Sequence, residues 1–371
     1  MTEKWLNLSI ERDGPYSKLV VFASALLSLG TFGFNTMPLV LITGDWKLDK
    51  NLPFETATLH NTFVVILTDF KYFIIVFPIK LAFRNIMTIA TSLLLPRLRV
   101  QTWTLLSLTL LIISMGVAFS GRYVETDHFH YVQIALGILN GSGTGIAFAL
   151  MVIVPQSWLD KTRTQYNGCL LIGAPIGSII SSFIWPRLVA HFTWSGALLI
   201  IIGLQLQSFI SWPIFKAHPD SPVKKSSFKS TVASWRTLCQ VKGFVSFLLF
   251  NTIYIGIVMT IVLTLLINLA TEYGVTREQS GYMFMTISLT DVIGRFIWGE
   301  MGTRFKTSSM IIAWSAWTVL TMSALAMSRT FLEFMICCFG IGVSFSGFGS
   351  HKHALKAAFS QSGINVQTYE L

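Results

Sequence analysis

The chain has 371 residues, 53% of them hydrophobic and only 12% charged, with a net charge of +10 and a mean hydropathy of +0.63. That balance excludes a soluble globular domain, and apolar runs of about 18 or more residues recur along the whole length, as in a helical protein that crosses a membrane many times. The basic excess fits the cytoplasmic loops of such a protein, so it does not point to nucleic acid.

Residues 1–18, "MTEKWLNLSIERDGPYSK", are polar and charged, show no cleavable leader and read as a cytoplasmic tail. Apolar runs bounded by charge or turn residues then predict ten spans, at about 19–43, 62–83, 101–120, 131–154, 167–186, 194–214, 243–270, 281–299, 309–328 and 331–349. One further piece, "NIMTIATSLLL" at 85–95, is too short to cross about 30 Å of hydrocarbon at about 1.5 Å per residue. It is expected to tuck under the bundle on the cytoplasmic side while 62–83 spans, because this keeps Lys80, Arg84, Arg97 and Arg99 together.

The fold class is therefore all-α, a polytopic membrane protein. Residues 19–214 form a first helix bundle of six spans, and 243–349 a second of four. The basic, Ser- and Pro-rich segment 215–242 is the one long polar connection between spans, read as a central cytoplasmic loop, and 350–371 is a cytoplasmic tail. With the N-terminus inside, nineteen basic residues fall in inner segments and six in outer loops, which supports the orientation. Two bundles joined by a central loop are the plan of secondary transporters of the major facilitator type, here with an incomplete second bundle.

Inside the eighth span, "SLTDVIGRFIWGE" carries Asp291 and Arg295 four residues apart, on one helix face. An ion at that depth costs at least about 2.5–3.5 kcal/mol, so the pair is expected to face the bundle interior or a wet cavity. Two roles are open to it. The pair neutralises itself and holds helices together, or Arg295 binds an anionic group once Asp291 accepts a proton.

Gly137, Gly141, Gly143 and Gly145 in "GILNGSGTG" make a stripe that lets helices approach closely in lipid, and no strand or phosphate-loop lysine accompanies them. Gly173 and Gly177, around Pro175, read the same way, with a kink as an added possibility. Asp69 and Lys71 are two apart and share no helix face. The four cysteines have no disulfide or metal spacing and read as packing residues. All seven histidines fall in predicted loops or the tail, which argues against an intramembrane hydrolase or metalloprotease.

The stretch "GILNGSGTGIAFALMVIVPQSWLDKTRTQYNGCLLIGAPIGS" resembles the signature of the monocarboxylate transporter family of the major facilitator superfamily. In that family a Gly-rich span, an aromatic residue, a basic cluster and a Gly, Gly, Pro, Gly series follow one another. Here they fall on the glycine stripe, Trp158, Lys161 and Arg163, then Gly168, Gly173, Pro175 and Gly177. "FTWSGALLIIIG", "VKGFVSFLLFN" and "SLTDVIGRFIWG" continue the likeness into helices six, seven and eight.

The resemblance implies proton-linked movement of short carboxylates, or related small organic solutes, across the plasma membrane by alternating access. It implies Asp291 as the proton acceptor and Arg295, with Asn251 and Thr36, on the substrate side. Lys161 and Arg163 belong to the cytoplasmic signature, and no cofactor is implied, the proton serving as coupling ion. Expected partners are a small organic anion, the lipid bilayer and a single-span accessory glycoprotein.

Departures are also visible. "DGPYSK" stands where the family has an acidic-Gly-small-aromatic-small-Trp motif, with Pro15 and Lys18 off pattern. The lysine of proton-coupled members is absent at the outer end of helix one, where Thr36 or Met37 is nearest. "RNIMTIATSLLLP" resembles the core of helix two, with 62–83 preceding it as an insertion. No counterpart of helices eleven and twelve is found, so the alternative to a transporter is a truncated, non-transporting form that folds partially or regulates full-length partners.

Overall fold

The computed structural model describes residues 12–35, 82–92, 94–95, 99–125, 128–159, 170–216, 269–270, 272–305 and 307–347, with single positions 80, 166, 218, 240 and 266. The chain divides into two compact units, Met1–Val223 and Lys224–Leu371. All regular structure among the described residues is helical.

In the first unit, α1 runs Pro15–Ser28 and continues as a π turn, Leu29–Gly33. Pro15 departs from the family's motif yet suits its place. At the first helical position its missing N–H forfeits no bond and its fixed φ is already helical. Just before it Asp13 takes φ 61°, and its N–H donates to the Trp158 carbonyl at 3.0 Å.

Residues 82–92 form α2, followed by α3 (Val100–Ser120) and α4 (Phe129–Trp158). Helices α1 and α4 run antiparallel: Ser17 Oγ donates to the Trp158 carbonyl and Ser24 Oγ to that of Met151, both at 3.0 Å. α3 lies along α4, with Ser107 Oγ donating to the Gly143 carbonyl at 2.8 Å.

Helix α5, Gly173–Leu206, is broken at Thr193 (φ 61°, ψ 171°) into two arms. The first arm meets α1 through Gly173 at Ala25 and through Gly177 at Gly33. The second returns past Gly30 at Ser208, and a short helix, Ser211–Ile214, ends where Tyr16 Oη donates to the Ile214 carbonyl at 2.7 Å. The arms correspond to the expected spans 167–186 and 194–214. No kink occurs at Pro175. It lies in the first turn of α5, where no intrahelical bond is lost.

Two of the apolar clusters among the described residues make up most of this unit's core. One gathers Val20, Leu27, Leu108, Ile146, Leu150 and Trp158, the other Phe34, Met115, Trp185, Trp194, Leu198 and Ile201. The same helices leave Phe22, Ile113 and Leu199 more than half exposed. A helix apolar on every side packs inward on one face and meets lipid on the other. Among the described residues four helices are long and apolar enough to cross a membrane: Pro15–Gly33, Val100–Tyr123, Tyr131–Trp158 and Gly173–Ile214.

One expectation is corrected here. The 85–95 piece does not tuck beneath the bundle. α2 packs on α4 near that helix's midpoint, with the Lys80 backbone over Gly141 and the Arg84 backbone over Gly145. Thr88 Oγ1 bonds the Arg84 carbonyl at 2.7 Å and the Gly145 carbonyl at 3.1 Å. Reading by length missed this because the glycine stripe lets α2 come to backbone contact, a gain that apolar length does not measure. Lys80 is buried as a result. The histidines are also not all in loops: His130 and His191 are helical, while His218 is a loop residue, buried edge-on against Trp158 at 4.7 Å between ring centroids.

The second unit holds α6 (Arg277–Arg304), α7 (Thr307–Met327) and α8 (Phe331–Gly347). A capping box starts α6. Gln279 N–H donates to Thr276 Oγ1 at 3.3 Å, and Thr276 N–H to Gln279 Oε1 at 2.8 Å. Thr330 and Glu333 repeat the device ahead of α8, with Thr330 N–H donating to Glu333 Oε2 at 3.1 Å. Along the α6–α8 contact Gly294 faces Ser346 and Gly342 faces Thr290, while Trp298 Nε1 donates to the Val343 carbonyl at 3.0 Å. Trp314 and Trp317 of α7 donate to the Ser344 and Gly340 carbonyls at 2.7 and 3.0 Å. Cys337 and Cys338 are free and buried in α8, as packing residues would be.

Candidate functional site

Asp291 lies within one residue of the midpoint of the 28-residue helix α6. At about 1.5 Å per residue, that places it some 20 Å from either end. Arg295 follows one turn later and closes a doubly hydrogen-bonded pair. Its Nε donates to Asp291 Oδ1 at 3.0 Å and its Nη2 to Oδ2 at 2.9 Å. Both carboxylate oxygens thus meet the N–H edge of the planar guanidinium, the geometry that pairs arginine with acids most strongly.

The pair does not look outward. Leu289, Ile293 and Phe296 are exposed on one side of α6, and Ile287, Gly294 and Trp298 are turned toward α8. By helical angle the pair falls on a third flank, shared with the buried Phe284 and Ser288 and away from the exposed side. Asp291 keeps 12% of its side-chain surface and Arg295 keeps 23%. An ion pair half-sealed at mid-helix can be opened by one proton on the carboxylate, which frees a fork of N–H donors for another acid.

The glycine stripe is accounted for by packing. Gly143 meets Leu111 and Ser107 on α3, while Gly141 and Gly145 receive α2, and Gly137 is buried. Gly33 and Gly177 bring α1 and α5 to backbone contact, and Gly173 sits on the backbone of Ala25 and Leu29. Thr36, Asn251, Lys161, Arg163, Asp69 and Lys71 lie outside the described residues.

Sequence reasoning missed a polar cluster in the first unit. Asn140 of α4 bridges to Asn35, just past the π turn of α1, and to Ser114 of α3, and all three are fully buried. The signal was available as two amides, Gln133 and Asn140, seven apart in an otherwise apolar run.

The family model of the Major Facilitator Superfamily matches residues 20–350. The chain belongs to this superfamily. Among curated members it is similar to monocarboxylate transporter 12 of Rattus norvegicus, 20% identical over 223 residues that cover 52% of this chain and 45% of the relative. It is also similar to the riboflavin transporter MCH5 of Saccharomyces cerevisiae, 22% identical over 223 residues covering 53% and 40%. The matches to these relatives span less than half of their length.

Among solved structures the chain resembles an inward-facing, unoccupied bacterial homolog of the human lysosomal transporter Spinster. The TM-score is 0.55 at 13% identity, over 94% of this chain and 80% of that one. This likeness shows the superfamily's fold.

Proposed function

We propose that the chain is a secondary transporter that moves monocarboxylates, or related small organic solutes, across the plasma membrane by alternating access with a proton as coupling ion. The observation that carries this reading is the Asp291–Arg295 pair at the midpoint of α6, turned away from the exposed side. A pair kept only for packing is usually replaceable by apolar side chains at no loss of stability. A pair that exchanges a proton for a solute carboxylate is not.

In the proposed cycle Asp291 takes up a proton, its hold on Arg295 weakens, and the solute carboxylate takes the vacated N–H fork. Loss of the solute and the proton on the other side restores the internal pair. Asn251 and Thr36 are proposed on the solute path, and Lys161 and Arg163 on the cytoplasmic face. A single-span accessory glycoprotein is proposed as partner on the family likeness alone. The names of the similar proteins, one for monocarboxylates and one for riboflavin, support an organic solute and leave its size open.

The test is uptake of radiolabelled monocarboxylates into liposomes holding the purified chain, with and without an inward proton gradient. Uptake should rise with the gradient and vanish in Arg295→Ala. Persistence of gradient-driven uptake in that variant overturns the site assignment.

A further inference from the structure

The buried amides of the first unit form an incomplete network. Asn140 Nδ2 donates to Asn35 Oδ1 and, at 3.0 Å, to Ser114 Oγ, which itself donates to the Leu111 carbonyl at 2.7 Å. Both N–H groups of Asn140 are thereby used. Asn35 Nδ2 and Asn140 Oδ1 are left, each fully buried and without a partner among the described residues. Thr31 Oγ1, one turn before Asn35, and Gln133 Oε1, two turns before Asn140, are buried and unpaired as well. Asn140 lies about 5 Å from the midpoint of α4 by rise per residue.

Helix bridging explains half of this arrangement, since polar side chains commonly tie membrane helices together. The leftover donor and acceptor tie nothing, and a leucine would fill the volume without the desolvation penalty. Turning both amides over exchanges their roles but again leaves one donor and one acceptor unsatisfied within the bonded amide pair. Such a pair is the complement of an uncharged planar group that gives one hydrogen bond and accepts one. A carboxylate, which only accepts, or an ammonium, which only donates, satisfies one half of it.

We propose that Asn35 and Asn140 form a neutral hydrogen-bonding subsite that takes a carboxamide-type group of the transported solute, reached as α1 and α4 part during the transport cycle. The subsite rests on the transport reading above and adds a substrate class to it. The solute carries an uncharged donor–acceptor group besides its acid.

The full chain in liposomes tests this with succinamate, which bears a carboxylate and a carboxamide, against butyrate, which bears the carboxylate alone. The expected wild-type preference for succinamate is about tenfold, near 1.4 kcal/mol, and Asn140→Leu should bring the uptake ratio close to one. Asn35→Leu serves as the second variant should Asn140→Leu fail to fold. A wild-type ratio near one, or a ratio that either folded variant leaves unchanged, overturns the subsite. Uptake of neither acid by the wild type removes the carboxylate reading, and propionamide then decides alone. Thermal stabilisation of the purified chain by propionamide, lost in the variant, supports the subsite, and its absence overturns it.

Discussion

At the residue scale the Asp291–Arg295 pair combines two effects that mutation can separate. Arg295→Ala leaves a carboxylate in a low-dielectric setting, a change that costs about 3–5 kcal/mol when a buried pair loses one partner. The cost here should fall toward the lower end, because the Arg295 side chain keeps 23% of its surface. The single variant should therefore lose both transport and several degrees of Tm. In Asp291→Asn with Arg295→Gln no charge remains, so Tm should recover while uptake stays absent. Recovery of uptake along with Tm would mean the pair serves folding alone. Arg295→Lys keeps the charge but loses the two-pronged contact, and uptake should fall at least tenfold rather than vanish.

At the element scale the first unit is held by close helix crossings. A Cβ on Gly177 would sit on the backbone of Gly33 and Leu29, whereas one on Gly203 would meet nothing within 4 Å. Gly177→Ala must push α5 off α1, at about 1–3 kcal/mol for overpacking. Gly203→Ala gains the helix propensity of alanine, up to about 1 kcal/mol. Apparent Tm in detergent should therefore move in opposite directions for the two variants, and equal shifts would show that the crossing is not close-packed. Trp158 is a second tie. Its carbonyl accepts from Asp13 and Ser17, and its indole Nε1 donates to the Lys216 carbonyl at 2.7 Å, joining the start of α1 to the ends of α4 and of the short helix after α5. Trp158→Phe removes the Lys216 bond and should raise protease sensitivity near residue 216.

At the scale of the whole molecule the same contacts sort the first unit into two ends. Asp13, Trp158, Ile214 and Lys216 meet at one end, and Arg122 reaches Ser195 at 3.2 Å at the other. The first end carries the polar N-terminal tail with Lys4, Arg12 and Lys18 and leads into the basic segment 215–242, so it is the proposed cytoplasmic side. A cysteine introduced at Tyr123, which is 74% exposed, should react with an impermeant thiol reagent on intact cells, and one at Lys224 only after permeabilisation. Labelling of position 224 alone on intact cells would reverse this orientation, and labelling of both positions or of neither would void it.

The sequence by itself determined the class of molecule and the Asp291–Arg295 ion pair. Apolar length, loop charge and an Asp and Arg one turn apart are local properties, and membrane insertion reads them locally. It also marked Gly141, Gly145, Gly173 and Gly177 as contact points, since small residues in lipid have few other uses. What faced those glycines was decided by tertiary structure alone. The 82–92 helix looked too short to hold a mid-bundle place, yet it is seated by backbone contact with α4. The Asn35–Asn140–Ser114 cluster joins residues up to 105 positions apart, so no window of sequence contains it. A buried hydrogen bond depends on where two backbones cross, and that follows from packing the whole bundle rather than from any one span.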